Sequence, residues 1–418
     1  MPAFSPTFRA MRVRNYRLWA AGALISNIGT WMQRTAQDWL VLTELTRHNA
    51  GAVGIVMALQ FGPQLLLLPW TGTATDRFDR RKLMIITQTV MGLLALGLGL
   101  LTISGHVTLW QVYTFAFAFG CASALDIPVR QTFVSDLLSD RDLPNGIALN
   151  STSFNSARMI GPAVAGLLIA AVGTGWAFII NGLSYVAVLA SLLLMRPSEM
   201  QPGAIAQKTR GGFRDGLRYV RERGDLLAML LMLSLIGTFG MNFPIYISTM
   251  SAKVFATDAR GYGILSSFVA IGTVLGALLA ARRQNPGIAT LRGGALFFGI
   301  GCAAAALAPG YYWFAAALVL IGIAGMTVMN TSNSLMQLGT ERAMRGRVMA
   351  LRMAVVMGGT PIGAPIVGWI ADSYGPRQAL GVGAAAGFAA ALVALLYCRR
   401  VSARSGQLSH NASGAAQS

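Results

Sequence analysis

From its N-terminus the chain alternates between apolar runs of about 20 residues and short polar interruptions, most of them basic. Twelve runs can be drawn, near 18–38, 52–75, 83–103, 109–130, 146–171, 176–195, 226–250, 261–281, 291–308, 311–336, 347–371 and 378–397. Runs of that length with few charges predict helices that cross a bilayer, because hydrocarbon offers no water to a loose backbone. The pattern predicts an all-α membrane protein of twelve transmembrane helices. A polar, basic stretch divides them, so the expected organisation is an N-terminal six-helix half over 1–195, a cytoplasmic linker over 196–225 and a C-terminal six-helix half over 226–400. The Ser-, Gly- and Ala-rich tail over 401–418 is expected to be disordered. The basic stretch before the first run leads into an apolar segment too long for a signal-peptide core and reads as the first span.

An internal echo supports the two halves. Gly161-Pro-Ala-Val-Ala-Gly166 and Gly363-Ala-Pro-Ile-Val-Gly368 align at a shift of 202 residues, which also pairs Ala148-Leu149 with Ala350-Leu351 and Gly173 with Gly375. Both copies fall in the fifth span of their half, as a duplication within the membrane predicts.

Composition agrees: 54% of residues are hydrophobic and 11% charged, against about 25% charged in soluble proteins, and mean hydropathy is +0.56. The net charge of +18 falls in clusters between apolar runs, so it does not form a nucleic-acid-binding stripe. With the N-terminus inside, about 25 of the 33 Lys and Arg face the cytoplasm and about four (Arg47, Lys253, Arg260, Arg377) face outward, as the positive-inside rule demands. Both termini are expected inside. In the linker, Phe213, Leu217, Tyr219 and Val220 amid Arg214, Arg218, Arg221 and Arg223 predict a short helix on the anionic inner leaflet. Cys121, Cys302 and Cys398 lie far apart and His48, His106 and His410 fall in loops or the tail, so no metal set is expected. No nucleophile elbow and no phosphate-binding loop appears. An enzyme, a cofactor and ATP-driven transport are not expected.

Between the second and third spans stands Gly72-Thr-Ala-Thr-Asp76-Arg77-Phe-Asp79-Arg80-Arg81-Lys82. Asp76 could accept from backbone N–H groups at the N-terminal end of a neighbouring helix, where the dipole favours an anion. Gly72, Asp76, Arg77, Arg80 and Arg81 together resemble the loop motif of the major facilitator superfamily, with Asp79 where that family has its second glycine. The resemblance implies a gate that latches the two halves on the cytoplasmic side and breaks when the carrier opens inward. Gly161, Pro162 and Gly166 are similar, in abbreviated form, to the span-5 motif of the exporting antiporter branch. As residues alone, the two glycines let helices approach closely and the proline invites a bend.

Charges inside spans are the sharpest chemical signal, each costing a few kcal/mol unless paired or hydrated. Arg34, Arg130, Arg158 and Arg352 qualify. Asp38 lies four residues beyond Arg34 near the outer end of the first span, as an outer gate or an exposed ion pair. Asp126 lies four residues before Arg130 in the fourth span. A carboxyl that alternates between an apolar setting and an arginine can load and release a proton. The proton-coupling candidates are therefore Asp126 with Arg158 or Arg130 as partner, then Asp38 with Arg34; a permanent Asp–Arg pair holding helices together is the alternative.

Asn15-Tyr-Arg-Leu-Trp19, Ser26-Asn-Ile-Gly-Thr-Trp-Met-Gln33, Asp126-Ile-Pro-Val-Arg-Gln131, Leu143-Pro-Asn-Gly-Ile-Ala-Leu-Asn150 and Arg158-Met-Ile-Gly-Pro162 resemble the subgroup that contains the enterobactin exporter and macrolide-efflux proteins. That likeness implies an inner-membrane exporter of small amphipathic, siderophore- or drug-like molecules, coupled to protons and acting as a monomer among membrane lipids. It also implies a central path lined by spans 1, 4, 7 and 10. Asn27, Gln33, Gln37, Asn242, Tyr246, Asn330, Asn333 and Gln337 are the polar candidates there. A proton-coupled importer of a metabolite and a non-transporting scaffold or sensor are the rival readings.

Overall fold

The computed structural model of the protein describes residues 6–67, 70–71, 78–200, 213–281 and 287–415, nearly all of them helical. The helices are α1 (Arg14–Trp39), α2 (Ala50–Leu66), α3 (Arg80–Ile103), α4 (Leu109–Leu137), α5 (Leu143–Val172), α6 (Thr174–Leu193) and a short amphipathic α7 (Phe213–Glu222). They continue with α8 (Gly224–Leu235), α9 (Phe243–Thr249), α10 (Ala259–Ala281), α11 (Ile288–Ala306), α12 (Tyr311–Gly339), α13 (Arg342–Ser373) and α14 (Pro376–Ala415).

Among the described residues, ten segments are long and apolar enough to cross a membrane by length and composition, counting Gly224–Val254 as one. Ala50–Leu66 is apolar but shorter. Helix α1 is long enough but not among the ten, because Asn27, Gln33, Arg34, Gln37 and Asp38 interrupt its apolar character. The last helix runs through Ala415, which corrects the expectation of a disordered tail after Arg400. Extending a helix already nucleated by a span adds one hydrogen bond per residue fixed, so an alanine-containing tail can follow it.

Chain ends of helices carry their own stop and start signals. Asn49 caps α2 by accepting from Ala52 N–H, Asp79 caps α3 through Lys82 N–H, and Thr108 with Gln111 forms a reciprocal capping box on α4. Gly173 and Gly375, paired by the 202-residue echo, both turn the chain between two helices at positive φ, +90° and +105°, a conformation a Cβ disfavours.

The chain forms two compact units. The first comprises Met1–Lys208, Asn242–Ile271 and Thr360–Ala379, the second Thr209–Met241, Gly272–Gly359 and Leu380–Ser418. In the first, α1 lies between α5 and α6, α3 packs on α4 and α6, α2 on α4, and α9 reaches α1 and α2. Tyr16, Trp19, Met84, Phe133, Leu137 and Leu192 fill one end of this bundle, and Met91, Phe119 and Tyr185 its middle. In the second, α11 packs along α12, and α7 rests on α13: a side chain at Gly216 would meet Arg347 Cβ at 3.0 Å, and Val220 is buried. Val220 of α7 is thus spent on protein, while Leu217 and Tyr219 are half-buried and Arg218 and Arg221 remain exposed.

The seventh span is discontinuous. Wide π-type turns follow α8 at Ile236–Gly240 and α9 at Met250–Val254, and Asn242 leaves the helical region between them (φ −88°, ψ 44°). Pro244, in the first turn of α9, has no N–H to continue the ladder.

Candidate functional site

Gly72, Asp76 and Arg77 lie outside the described residues. The rest of the loop motif binds the start of α3 to its neighbours. Arg80 Nη1 donates to Asp136 Oδ1 at 2.6 Å, an ion pair largely shielded from solvent. Arg81 Nε donates to the Leu192 carbonyl at 2.8 Å and its Nη2 to Leu193 at 3.3 Å, placing a cation at the C-terminal end of α6, where the dipole favours it. The two signature stretches near the N-terminus meet here as well. Tyr16 Oη donates to the Gly146 carbonyl at 2.8 Å, and the Asn145 side chain accepts from Ala10 N–H.

Within the first unit, three helices converge on Asp126. Its Oδ1 accepts from Thr87 Oγ1 at 2.9 Å and Gln88 Nε2 at 2.6 Å, both on α3, and its Oδ2 from Arg130 Nε at 3.1 Å. Arg130 in turn donates to Asn27 Oδ1 of α1 at 3.3 Å. The carboxylate is nearly buried and Arg130 only slightly open. Of the two partners expected for Asp126, Arg130 makes the ion pair. Thr87 and Gln88 had no signal in sequence, since single polar residues in spans are common, and they became visible only when α3 met α4. A buried ion pair with three further polar partners can hold the ionised carboxylate, and protonation of Asp126 would remove the counter-charge that Arg130 faces.

Arg34 and Asp38 share α1 but form no ion pair. Arg34 instead sets its guanidinium 5.0 Å from the centroid of the Trp31 ring and 5.1 Å from that of Phe61. Asp38 accepts from Tyr262 Oη of α10 at 3.4 Å, while the neighbouring Trp39 stacks on the Tyr262 ring. Arg158 lies 5.9 Å from the Trp31 ring. In the second unit, Arg352 donates to the Met329 carbonyl at 2.9 Å.

The span-5 motif is a packing device. A Cβ on Gly161 would stand 2.6 Å from Trp31 Cβ, so α5 presses directly on α1. One on Gly166 would stand 2.6 Å from the Ala259 carbonyl, and one on Gly263 2.4 Å from that of Pro162, so α5 and α10 cross backbone to backbone. The second copy of the echo makes the equivalent crossing. A Cβ on Gly368 would stand 2.5 Å from the Ala50 carbonyl and one on Gly54 2.5 Å from that of Ala364, which joins α13 to α2. One turn past Gly368, Asp372 accepts from Ala50 N–H at 2.8 Å and Gly51 N–H at 2.7 Å at the start of α2, and from Lys253 Nζ at 2.9 Å. The geometry expected of Asp76, a carboxylate on the N-terminus of another helix, is thus realised by Asp372. Sequence reading missed it, because its backbone partners carry no side-chain signature.

Of the central-path candidates, Asn27, Gln33, Gln37, Asn242 and Tyr246 are buried in the first unit. Asn181 donates to Gln33, and Asn242 sits at the break in the seventh span. Asn330 and Asn333 are half-buried and Gln337 exposed in the second unit. Among the described residues no cluster of three or more His, Cys, Asp or Glu could hold a metal.

Known proteins match this architecture over nearly its whole length. The staphyloferrin A transporter of Staphylococcus aureus is 26% identical over 353 residues, 83% of this chain and 87% of that protein. The multidrug efflux pump Tap of Mycolicibacterium fortuitum is 24% identical, covering 84% of this chain and 88% of the relative. The enterobactin exporter of Shigella flexneri is 23% identical, covering 85% and 84%. Among solved structures, a bacterial homologue of the human lysosomal transporter Spinster in an inward-facing, occupied conformation superposes with a TM-score of 0.74 at 15% identity, covering 93% of this chain and 97% of that one. The D-xylose–proton symporter gives 0.72 at 14%, covering 91% and 96%. At such identities these structures establish the fold. The description "transmembrane secretion effector" belongs to a family whose pattern matches residues 3–413, and this multi-pass chain is therefore a member of that family of major facilitator superfamily transporters, which are not enzymes.

Proposed function

We propose that this protein exports small amphipathic molecules, siderophore- or drug-like, across the inner membrane by proton antiport, with two six-helix halves of twelve spans in alternating access. Both termini lie in the cytoplasm, and the carrier works as a monomer among membrane lipids, with no cofactor. One observation carries the coupling claim: Asp126, held in the bundle by Thr87, Gln88 and Arg130. A carboxylate this deep is expensive to retain unless it has a task. Relatives named as an enterobactin exporter and a multidrug efflux pump favour the outward direction. The crossings of α5 with α10 and α13 with α2, with Asp372 beside them, support a gate at the outer end, with the 72–82 loop as its inner counterpart. The break at Asn242 supports counting it among the substrate contacts, since unwound turns within spans recur at transporter sites.

The test uses inside-out vesicles loaded with acid. Siderophores, macrolides and cationic dyes are added singly while lumenal pH is followed. Substrate-triggered proton efflux is expected from the wild type and not from Asp126→Asn, while Asp126→Glu, which keeps the charge and serves as the folding control, retains part of it. Efflux that survives Asp126→Asn removes Asp126 from the mechanism. Uptake of a metabolite against this direction would instead establish the importer, and silence across the panel with folded protein the scaffold.

A further inference from the structure

Two guanidiniums share one indole inside the first unit. Arg34 lies over both Trp31 and Phe61, and Arg158, from α5, reaches the same Trp31 ring. Phe154, one turn before Arg158, meets Trp31 edge-on at 5.8 Å. Aromatic faces stabilise a cation by their quadrupole, yet they supply no negative charge. Asp38, one turn further along α1, acts on Arg34 through space but makes no ion pair with it and accepts from Tyr262 instead. Arg34 makes no hydrogen bond or ion pair among the described residues, and its buried Nε has no acceptor. Gln37 Nε2, one turn further along α1, is buried without an acceptor too. An arginine remains charged under all ordinary conditions, and a buried donor left unmade costs about 1–3 kcal/mol. The arrangement therefore offers two unused donors beside a cation that no acceptor touches, framed by rings. Gly161 brings the α1 backbone at Trp31 close against α5, which sets where the indole begins.

We propose that Arg34, with Trp31, Phe61, Phe154 and Arg158, forms the subsite that binds the carboxylate of an aromatic or amphipathic monoanion. The rings take the flat apolar body and Arg34 takes the anionic head. This sharpens the substrate class of the proposed exporter and rests on that reading. It also gives Arg34 a task other than proton coupling, which stays with Asp126.

Equilibrium binding separates the two ideas, since it needs no proton gradient. The protein is placed in nanodiscs of zwitterionic lipid, and energy transfer from tryptophan to pyrene is titrated with pyrenebutyrate and with its neutral amide. The wild type is expected to prefer the carboxylate about tenfold, the size of one charge-assisted hydrogen bond. Arg34→Gln is expected to abolish that preference while still binding the amide, which shows the variant is folded; Arg34→Lys should restore part of it. Equal binding of the two probes by the wild type, or a preference untouched in Arg34→Gln, overturns the proposal. A preference that vanishes when anionic lipid is added assigns the arginine to lipid headgroups and overturns it as well. Loss of vesicle transport with the carboxylate preference intact would sink the export reading alone.

Discussion

The two crossings made by the repeated motif, α5 over α10 and α13 over α2, share a backbone design and differ in where their negative charge comes from. In each, a glycine of the motif meets a glycine-containing first turn with no room for a side chain. At α10 the helix start is served from its own chain neighbour: Asp258 accepts from Gly261 N–H at 3.1 Å. At α2 the local cap is the neutral Asn49, and the charge arrives from α13 as Asp372. The position equivalent to Asp372 in the first copy is Ala170. A local acid satisfies one helix. An acid supplied by the partner helix satisfies the same amides and ties two helices together, so a helix end becomes a latch. Lys253 adds a third element to it.

The largest way to break this comparison is to attack what the crossings share. Gly263→Leu and Gly54→Leu should each destabilise the protein by about 1–3 kcal/mol through overpacking against backbone that cannot yield, read as thermal unfolding in nanodiscs; near-equal losses are expected at the two sites. Next comes the feature that differs. Asp372→Asn should loosen α2 by about 0.5–1 kcal/mol and accelerate amide exchange over 50–54 several-fold, leaving 259–263 unchanged. Equal acceleration in both segments would mean that Asp372 stabilises the bundle generally. Asn49→Asp brings a second anion to the same helix start, and a few tenths of a kcal/mol of repulsion should appear as a smaller acceleration over 50–54. The smallest effect tests transfer of the design. Ala170→Asp in an Asp258→Asn background should slow exchange at 259–263 slightly, and Ala170→Asp alone should not, because Asp258 would oppose it.

Much of this was legible before any coordinates, and the gaps have physical reasons. The 202-residue echo marked duplicated fifth spans and Gly161 and Gly166 a close helix approach, but not which helices would cross, because a glycine marks where backbone needs space without naming what fills it. Asp126 stood out because a charge in a span is conspicuous. Arg34 and Asp38 read in sequence as an outer gate or an exposed ion pair; spacing brings two side chains to one face of a helix, but it did not show that Arg34 would lie over Trp31 and Phe61 or that Asp38 would accept from Tyr262. Asp136, the partner of Arg80, lay hidden beyond the expected end of the fourth span at 130, since α4 runs seven residues further to Leu137. Asp372 looked like any acid at a span end.

The backbone contacts at Gly54, Gly166, Gly263 and Gly368 also set what selection can change. A library that randomises the first unit would be expected to return these four positions as wild type in every surviving clone, since even alanine would thrust a methyl group into a carbonyl. Phe61 and Phe154, partly open and set against the side chains of Arg34 and Trp31, lie on the same helices as Gly54 and Gly166. A new cargo is therefore reached by varying rings between fixed seams, and the seams keep the frame of the carrier constant while its diet changes.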